Sequence, residues 1–131
     1  MKKVNKSFLK NSHYITDLNL CSVRLINNYK FPWIILIPNR KNKKDITDLN
    51  SKDQILLIKE IVFCSKIMKK AFNTSKLNIE KIGNIVPQLH LHIIARKIKD
   101  DSWPLSVWVV KEKPYTKKSL MDIISKLKKF F

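Results

Sequence analysis

Residues 31–39 read FPWIILIPN, an apolar run fenced by Pro32 and Pro38. A strand with one wet face alternates apolar and polar side chains, whereas a strand covered on both faces does not. Trp33 to Ile37 show no alternation. The segment therefore predicts a central strand, with one layer of structure above it and another below. Any fold for this chain must supply both layers.

The flanking segments supply candidates. LCSVRLIN, Leu20 to Asn27, has the mix of a strand, with Val23 and Leu25 on one face and Ser22, Arg24 and Ile26 on the other. An Asn-Asn-Tyr-Lys turn joins it to the central run as a hairpin. After the polar loop RKNKKDITDLN, Ser51 opens a long helix, with Ser51 and Gln54 placed as a capping box. Leu57, Ile61, Cys64, Met68 and Ala71 recur at helical spacing, and Ile55, Ile58 and Val62 are expected to widen that stripe. Its Met and Cys are read as core. KLNIEKI is a further strand, and Gly83-Asn84 a turn signal. SLMDIISKLKKFF closes the chain as an amphipathic helix with Leu120, Ile123, Ile124 and Leu127 facing inward. The first twenty residues show no clear pattern. Strands, a long helix, more strands and a terminal helix predict an α+β domain with an antiparallel sheet. At 131 residues, 44% of them apolar, one domain spanning 1–131 is expected.

Composition excludes some classes. No apolar run approaches the roughly 20 residues of a membrane span, and no signal-peptide core follows the basic start. A cytoplasmic protein without a membrane partner is expected. Cys21 and Cys64 form no CxxC pair, so neither structural zinc nor a disulfide is expected. The formal charge of +17 admits a nucleic-acid partner. The excess is mostly lysine scattered along the whole chain, which favours a generic basic surface. It would still attract polyanionic small molecules such as nucleotides.

The remaining segment, IVPQLHLHIIAR, Ile85 to Arg96, holds two of the three histidines. As a strand it would put Leu89, Leu91 and Ile93 on the core face and Gln88, His90 and His92 on the other. The pair has three readings. They are half-exposed strand residues, or two ligands of a metal site completed by His13, Asp100 or Asp101, or the reactive groups of a covalent catalyst.

GNIVPQLHLHIIAR resembles the signature of the histidine triad (HIT) superfamily, His-x-His-x-His followed by apolar residues. VRLINNYKFPWIILIPN resembles that family's hairpin, and SWPLSVW its Trp-Pro segment, so the likeness runs from about Leu20 to Trp108. It implies a HIT-like α+β fold with about five antiparallel strands, one long helix and a C-terminal helix. It also implies a nucleotide hydrolase or transferase, acting on dinucleoside polyphosphates, nucleoside phosphoramidates or adenylylated compounds. His90 would be the nucleophile that forms a nucleotidyl-histidine, and His92 would lie by the leaving group. Gly83 and Asn84 would form the turn that contacts phosphate, although Asn84 also reads as a plain turn residue. Asn27 would contact ribose, with Asn28 as the register-shifted alternative. No obligatory cofactor is implied, though Mg²⁺ can accompany a polyphosphate substrate. A homodimer formed by extending the sheet is implied as well. Gln88 departs from the pattern where the first histidine usually stands. Glutamine exchanges hydrogen bonds but carries no proton at neutral pH. The runner-up reading is a non-catalytic binder of nucleotides or nucleic-acid ends.

Overall fold

A computed structural model describes residues 4–131. In chain order it contains α1 (Lys6–Asn11), β1 (Ser12–Asp17), β2 (Cys21–Ile26), β3 (Trp33–Pro38), α2 (Ser51–Ala71), β4 (Lys76–Glu80), β5 (Leu91–Arg96) and α3 (Lys117–Lys128). Short 3₁₀ turns occupy Ile46–Asp48 and Val107–Val109. The strands form one antiparallel sheet in the order β1-β2-β3-β5-β4. This is the α+β architecture expected from the sequence.

The central run occupies the middle of the sheet as β3, and all six of its residues are buried. On one face, Ile34 and Leu36 join Val23, Leu25, Leu91 and Ile93 beneath Leu57, Ile61, Cys64 and Met68 of α2 and Leu127 of α3. On the other, Trp33, Ile35 and Ile37 join Ile94 beneath Phe8 of α1 and Val107. Two different layers therefore explain the missing alternation.

Four local expectations need correction. The strand β1 went unseen because a register shift between Tyr14 and Thr16 breaks its alternation. The cap of α2 is Asn50, whose side chain accepts from the Asp53 amide, so Ser51 already lies inside the helix. Gln54 instead donates its side-chain amide to the Leu49 carbonyl at 2.8 Å. Ile55, Ile58 and Val62 do not widen the core stripe; each is exposed. At about 100° per residue, Ile55 and Val62 point roughly 140–160° away from Leu57. Buried Glu60 and Ile67 flank the stripe instead. Glu60 accepts the Leu20 and Cys21 amides at 2.8 and 2.9 Å, which ties α2 to the start of β2.

The fourth correction concerns the histidine segment. Regular pairing begins only at Leu91. In the β3–β5 register, Leu36 faces Leu91, so Leu89 would face Pro38. Proline has no amide to donate. The Leu89 amide turns instead to the Lys43 carbonyl at 2.9 Å. Residues 85–90 thus leave the sheet as an irregular segment, though Leu89, Leu91 and Ile93 all keep the core face.

Candidate active site

At the start of β5, a pocket of about 440 Å³ opens on the sheet face away from α2. His90 and His92 line it together with Gly83 and Asn84 of the β4–β5 connection, Asn28, and the aromatic rings of Phe8, Trp33 and Trp108. The two imidazole rings lie edge to face with centroids 4.8 Å apart. Phe8 meets His90 at 4.7 Å, while Trp33 and Trp108 meet His92 at 5.6 and 5.4 Å.

Hydrogen bonding gives the two rings opposite roles. His90 Nδ1 lies 2.7 Å from the Gln88 carbonyl. A carbonyl only accepts, so Nδ1 carries the proton and Nε2 keeps its lone pair. His92 Nδ1 lies 3.0 Å from the Trp33 indole nitrogen, which only donates. His92 Nδ1 therefore holds the lone pair, and its proton sits on Nε2. Burial pushes His90 below the usual imidazole range; the Gln88 carbonyl opposes this shift and Lys81 adds to it. Burial, reinforced by His90, holds His92 at about 3. Both rings are thus neutral at pH 7, one offering a lone pair and the other an N–H.

Not every residue singled out in the sequence reaches this pocket. Gln88 lines a neighbouring cavity with Asn5 and the Asn39–Lys44 loop. Its side-chain oxygen accepts the Asn5 amide at 2.8 Å, and its link to the histidines is its main-chain carbonyl. Asn27 accepts the Tyr115 amide at 3.0 Å and is not among the lining residues. Asn28, the alternative, lines the pocket and is buried. Its side-chain oxygen takes the Lys30 and Lys113 amides, which leaves its amide nitrogen as the group for a ligand. Gly83 has φ of +71°, while an added Cβ would meet nothing nearer than 3.5 Å. Backbone conformation, not space, requires glycine there.

The sequence reading missed Trp33, Phe8 and Glu112 as pocket residues. Trp33 carried a faint signal, as the one ring in an otherwise aliphatic strand. Phe8 and Glu112 carried none, because each arrives from a distant segment. The residues considered for a metal are dispersed. Asp100 is bound to Arg96, Asp101 pairs with Lys30, and His13 lies on β1 at the far edge of the sheet. Among the described residues, no group of three His, Cys, Asp or Glu is placed to hold a metal ion. None of their helices is long and apolar enough to cross a membrane.

The comparisons agree on the family. The HIT domain profile matches residues 8–99. A histidine triad protein from Sinorhizobium meliloti 1021 is 33% identical, with 99% of this chain and 97% of that chain covered and a TM-score of 0.94. One from Bradyrhizobium japonicum is 35% identical, with coverage of 98% and 96% and a TM-score of 0.93. The chain belongs to the HIT family. A diadenosine triphosphate hydrolase from Plasmodium falciparum shares the fold at 21% identity and a TM-score of 0.63, with 97% of this chain and 78% of that chain covered. No curated protein matches the chain.

Proposed function

We propose that this protein is a nucleotide hydrolase or transferase that cleaves the α-phosphate linkage of its substrate through a nucleotidyl-histidine at His90. The observation that carries the reading is the opposed tautomers of the two pocket histidines. His90 Nε2 is an unprotonated nucleophile with its far side anchored on a carbonyl. His92 presents Nε2–H beside it, a donor suited to charge developing on a phosphate oxygen. Asn28 and Asn84 add polar groups around the same space, and the aromatic walls suit a nucleoside. Family membership and the fold shared with a diadenosine triphosphate hydrolase point the same way. No metal is needed for a step; Mg²⁺ would arrive on a polyphosphate chain.

Purified protein incubated with dinucleoside polyphosphates and adenylylated compounds should release a mononucleotide. Acid-quenched protein should carry the nucleotide on His90. His90→Ala should lower turnover by ~10³-fold or more, since no second group can take the nucleophile's place. Full activity in that variant would remove the assignment.

The rival reading is a non-catalytic binder of nucleotides or nucleic-acid ends. The formal charge of +17 and the placement of Gln88 outside the histidine pocket favour it. It predicts saturable nucleotide binding without product, or nucleic-acid binding that weakens steeply with salt. We place the protein in the cytoplasm, where its two buried cysteine thiols, Cys21 and Cys64, would remain reduced. We also expect a homodimer. The strand β4 is an open sheet edge with Ile79 exposed on it, and exposed Ile55, Ile58 and Val62 line the neighbouring α2.

A further inference from the structure

His92 is held more firmly than a hydrogen-bond donor needs to be. Trp33 stands on β3 one strand away, and its indole reaches the Nδ1 atom at 3.0 Å. Protonating Nδ1 would set two N–H groups against each other across that distance. The ring is only 4% exposed, so water cannot relieve the conflict.

Among the described residues, no charged group forms an ion pair with the ring. Glu80 faces His92 across the β4–β5 pair, but one of its carboxylate oxygens takes the Trp108 indole N–H at 2.7 Å. The neighbouring β3 residues Ile35 and Trp33 carry no charge. From α1 the pocket receives Ser7, Phe8 and Asn11, all uncharged. His90, if charged, would oppose a positive His92 ring. Glu112 lines the pocket, yet among the described residues no carboxylate is hydrogen-bonded to His92. Gln88, the remaining motif position, cannot carry a proton and lines another cavity.

We propose that Trp33 is a positioning residue that locks His92 as a neutral Nε2–H donor, and that the site therefore acts on α-phosphate linkages whose leaving group departs as a stable anion: phosphoanhydrides and acyl phosphates, not phosphoramidates. The inference rests on the hydrolase reading above and narrows its substrate class. In the first step the His90 Nε2 lone pair bonds to the α-phosphorus. The bond from phosphorus to the leaving oxygen breaks, and its electron pair leaves on a phosphate or carboxylate that is already an anion at pH 7. His92 steadies that charge by hydrogen bonding without losing its proton. Water then attacks phosphorus, the P–N bond breaks, and its pair returns to Nε2. The proton water sheds passes to solvent. A phosphoramidate differs at the first step, because its nitrogen must gain a proton to leave. Neutral imidazole N–H is far too weak an acid to give one.

Two measurements test this on the intact protein. The first compares release of the same mononucleotide from a phosphoanhydride and from a nucleoside 5′-phosphoramidate at pH 7. General acid catalysis contributes about 10²–10⁴-fold, so the anhydride should be cleaved at least ~10²-fold faster. Comparable rates would overturn the substrate class. The second follows the His92 ring nitrogens by ¹⁵N NMR between pH 5 and 8. Wild type should show an unprotonated Nδ1 throughout, whether or not any substrate is turned over. Trp33→Phe keeps an aromatic ring but removes the donor, so its His92 should gain Nδ1–H or titrate at higher pH. The same variant should gain phosphoramidate cleavage relative to anhydride cleavage. A wild-type His92 that carries Nδ1–H, or that titrates near neutrality, would refute the lock without any variant. If neither substrate is cleaved, the hydrolase reading and the substrate class fall together, and the NMR result alone decides the role of Trp33.

Discussion

At the residue scale, the proposed chemistry depends on which ring nitrogen holds a proton. His90 and His92 are the same residue type two positions apart, yet a carbonyl fixes one tautomer and an indole the other. Their identity and spacing were legible in the sequence, but their partners were not. Gln88 acts on His90 through its backbone, so its side chain gave no clue to that contact. Burial of both rings also has a consequence for stability. Each has a folded pKa below its ordinary value of 6.5, with burial the largest cause. Above about pH 6.5 neither state binds these protons, and stability is flat. Below it the unfolded chain takes protons that the folded pocket refuses, so stability falls as pH drops. Each fully refused proton costs about 1.4 kcal/mol per pH unit. Urea unfolding at pH 7, 6 and 5 should show this loss, and His92→Gln should make it shallower. A wild-type stability that is constant across that range would contradict the buried neutral rings.

At the element scale, α2 shows how a correct periodicity can be read too widely. Its core stripe of Leu57, Ile61, Cys64, Met68 and Ala71 is buried as the spacing predicts. The extra apolar residues lie on the far side of the same helix. Capping was misplaced by one residue because Asn50 and Ser51 are both good N-cap residues, and local sequence does not choose between them. The backbone does: Asn50 is extended, at φ −70° and ψ 167°, and accepts the Asp53 amide at 2.8 Å. Asn50→Ala should therefore destabilise the protein by about 1 kcal/mol in chemical denaturation. Ser51→Ala should change stability by no more than about 0.5 kcal/mol. The reverse order would restore the capping box at Ser51.

At the scale of the whole molecule, the sheet has two unlike faces. One is closed by α2 and α3, while the other is closed partly by α1 and partly left open as the histidine pocket. The rim of that pocket is held by buried Arg96 at the end of β5. It pairs with Asp100 at 2.7 Å, binds Ser102 and the Leu105 carbonyl, and so pins the loop that leads to Trp108. The open β4 edge and the outer face of α2 belong to the same scale, because they matter only if a second copy covers them. Light scattering should give a dimer for the wild-type chain. Ile58→Lys, which puts a charge on that exposed apolar face, should shift it toward monomer while leaving its fold intact by circular dichroism. A wild-type monomer would remove the dimer expectation.

The apolar run of β3, the period of α2 and the alternation through Leu89, Leu91 and Ile93 came from the chain alone, since burial on a repeating backbone leaves a repeating pattern. The His-x-His spacing belonged with them, and together with the hairpin and long helix before it and the Trp-Pro segment after it, it was enough to recognise the family. The pocket did not leave such a pattern. Phe8, Asn28, Trp33, Gly83, His92 and Trp108 come from separate segments, and their meeting depends on strand order and register. So does the state of each histidine, because a proton's position is set by whichever donor or acceptor the fold brings within about 3 Å.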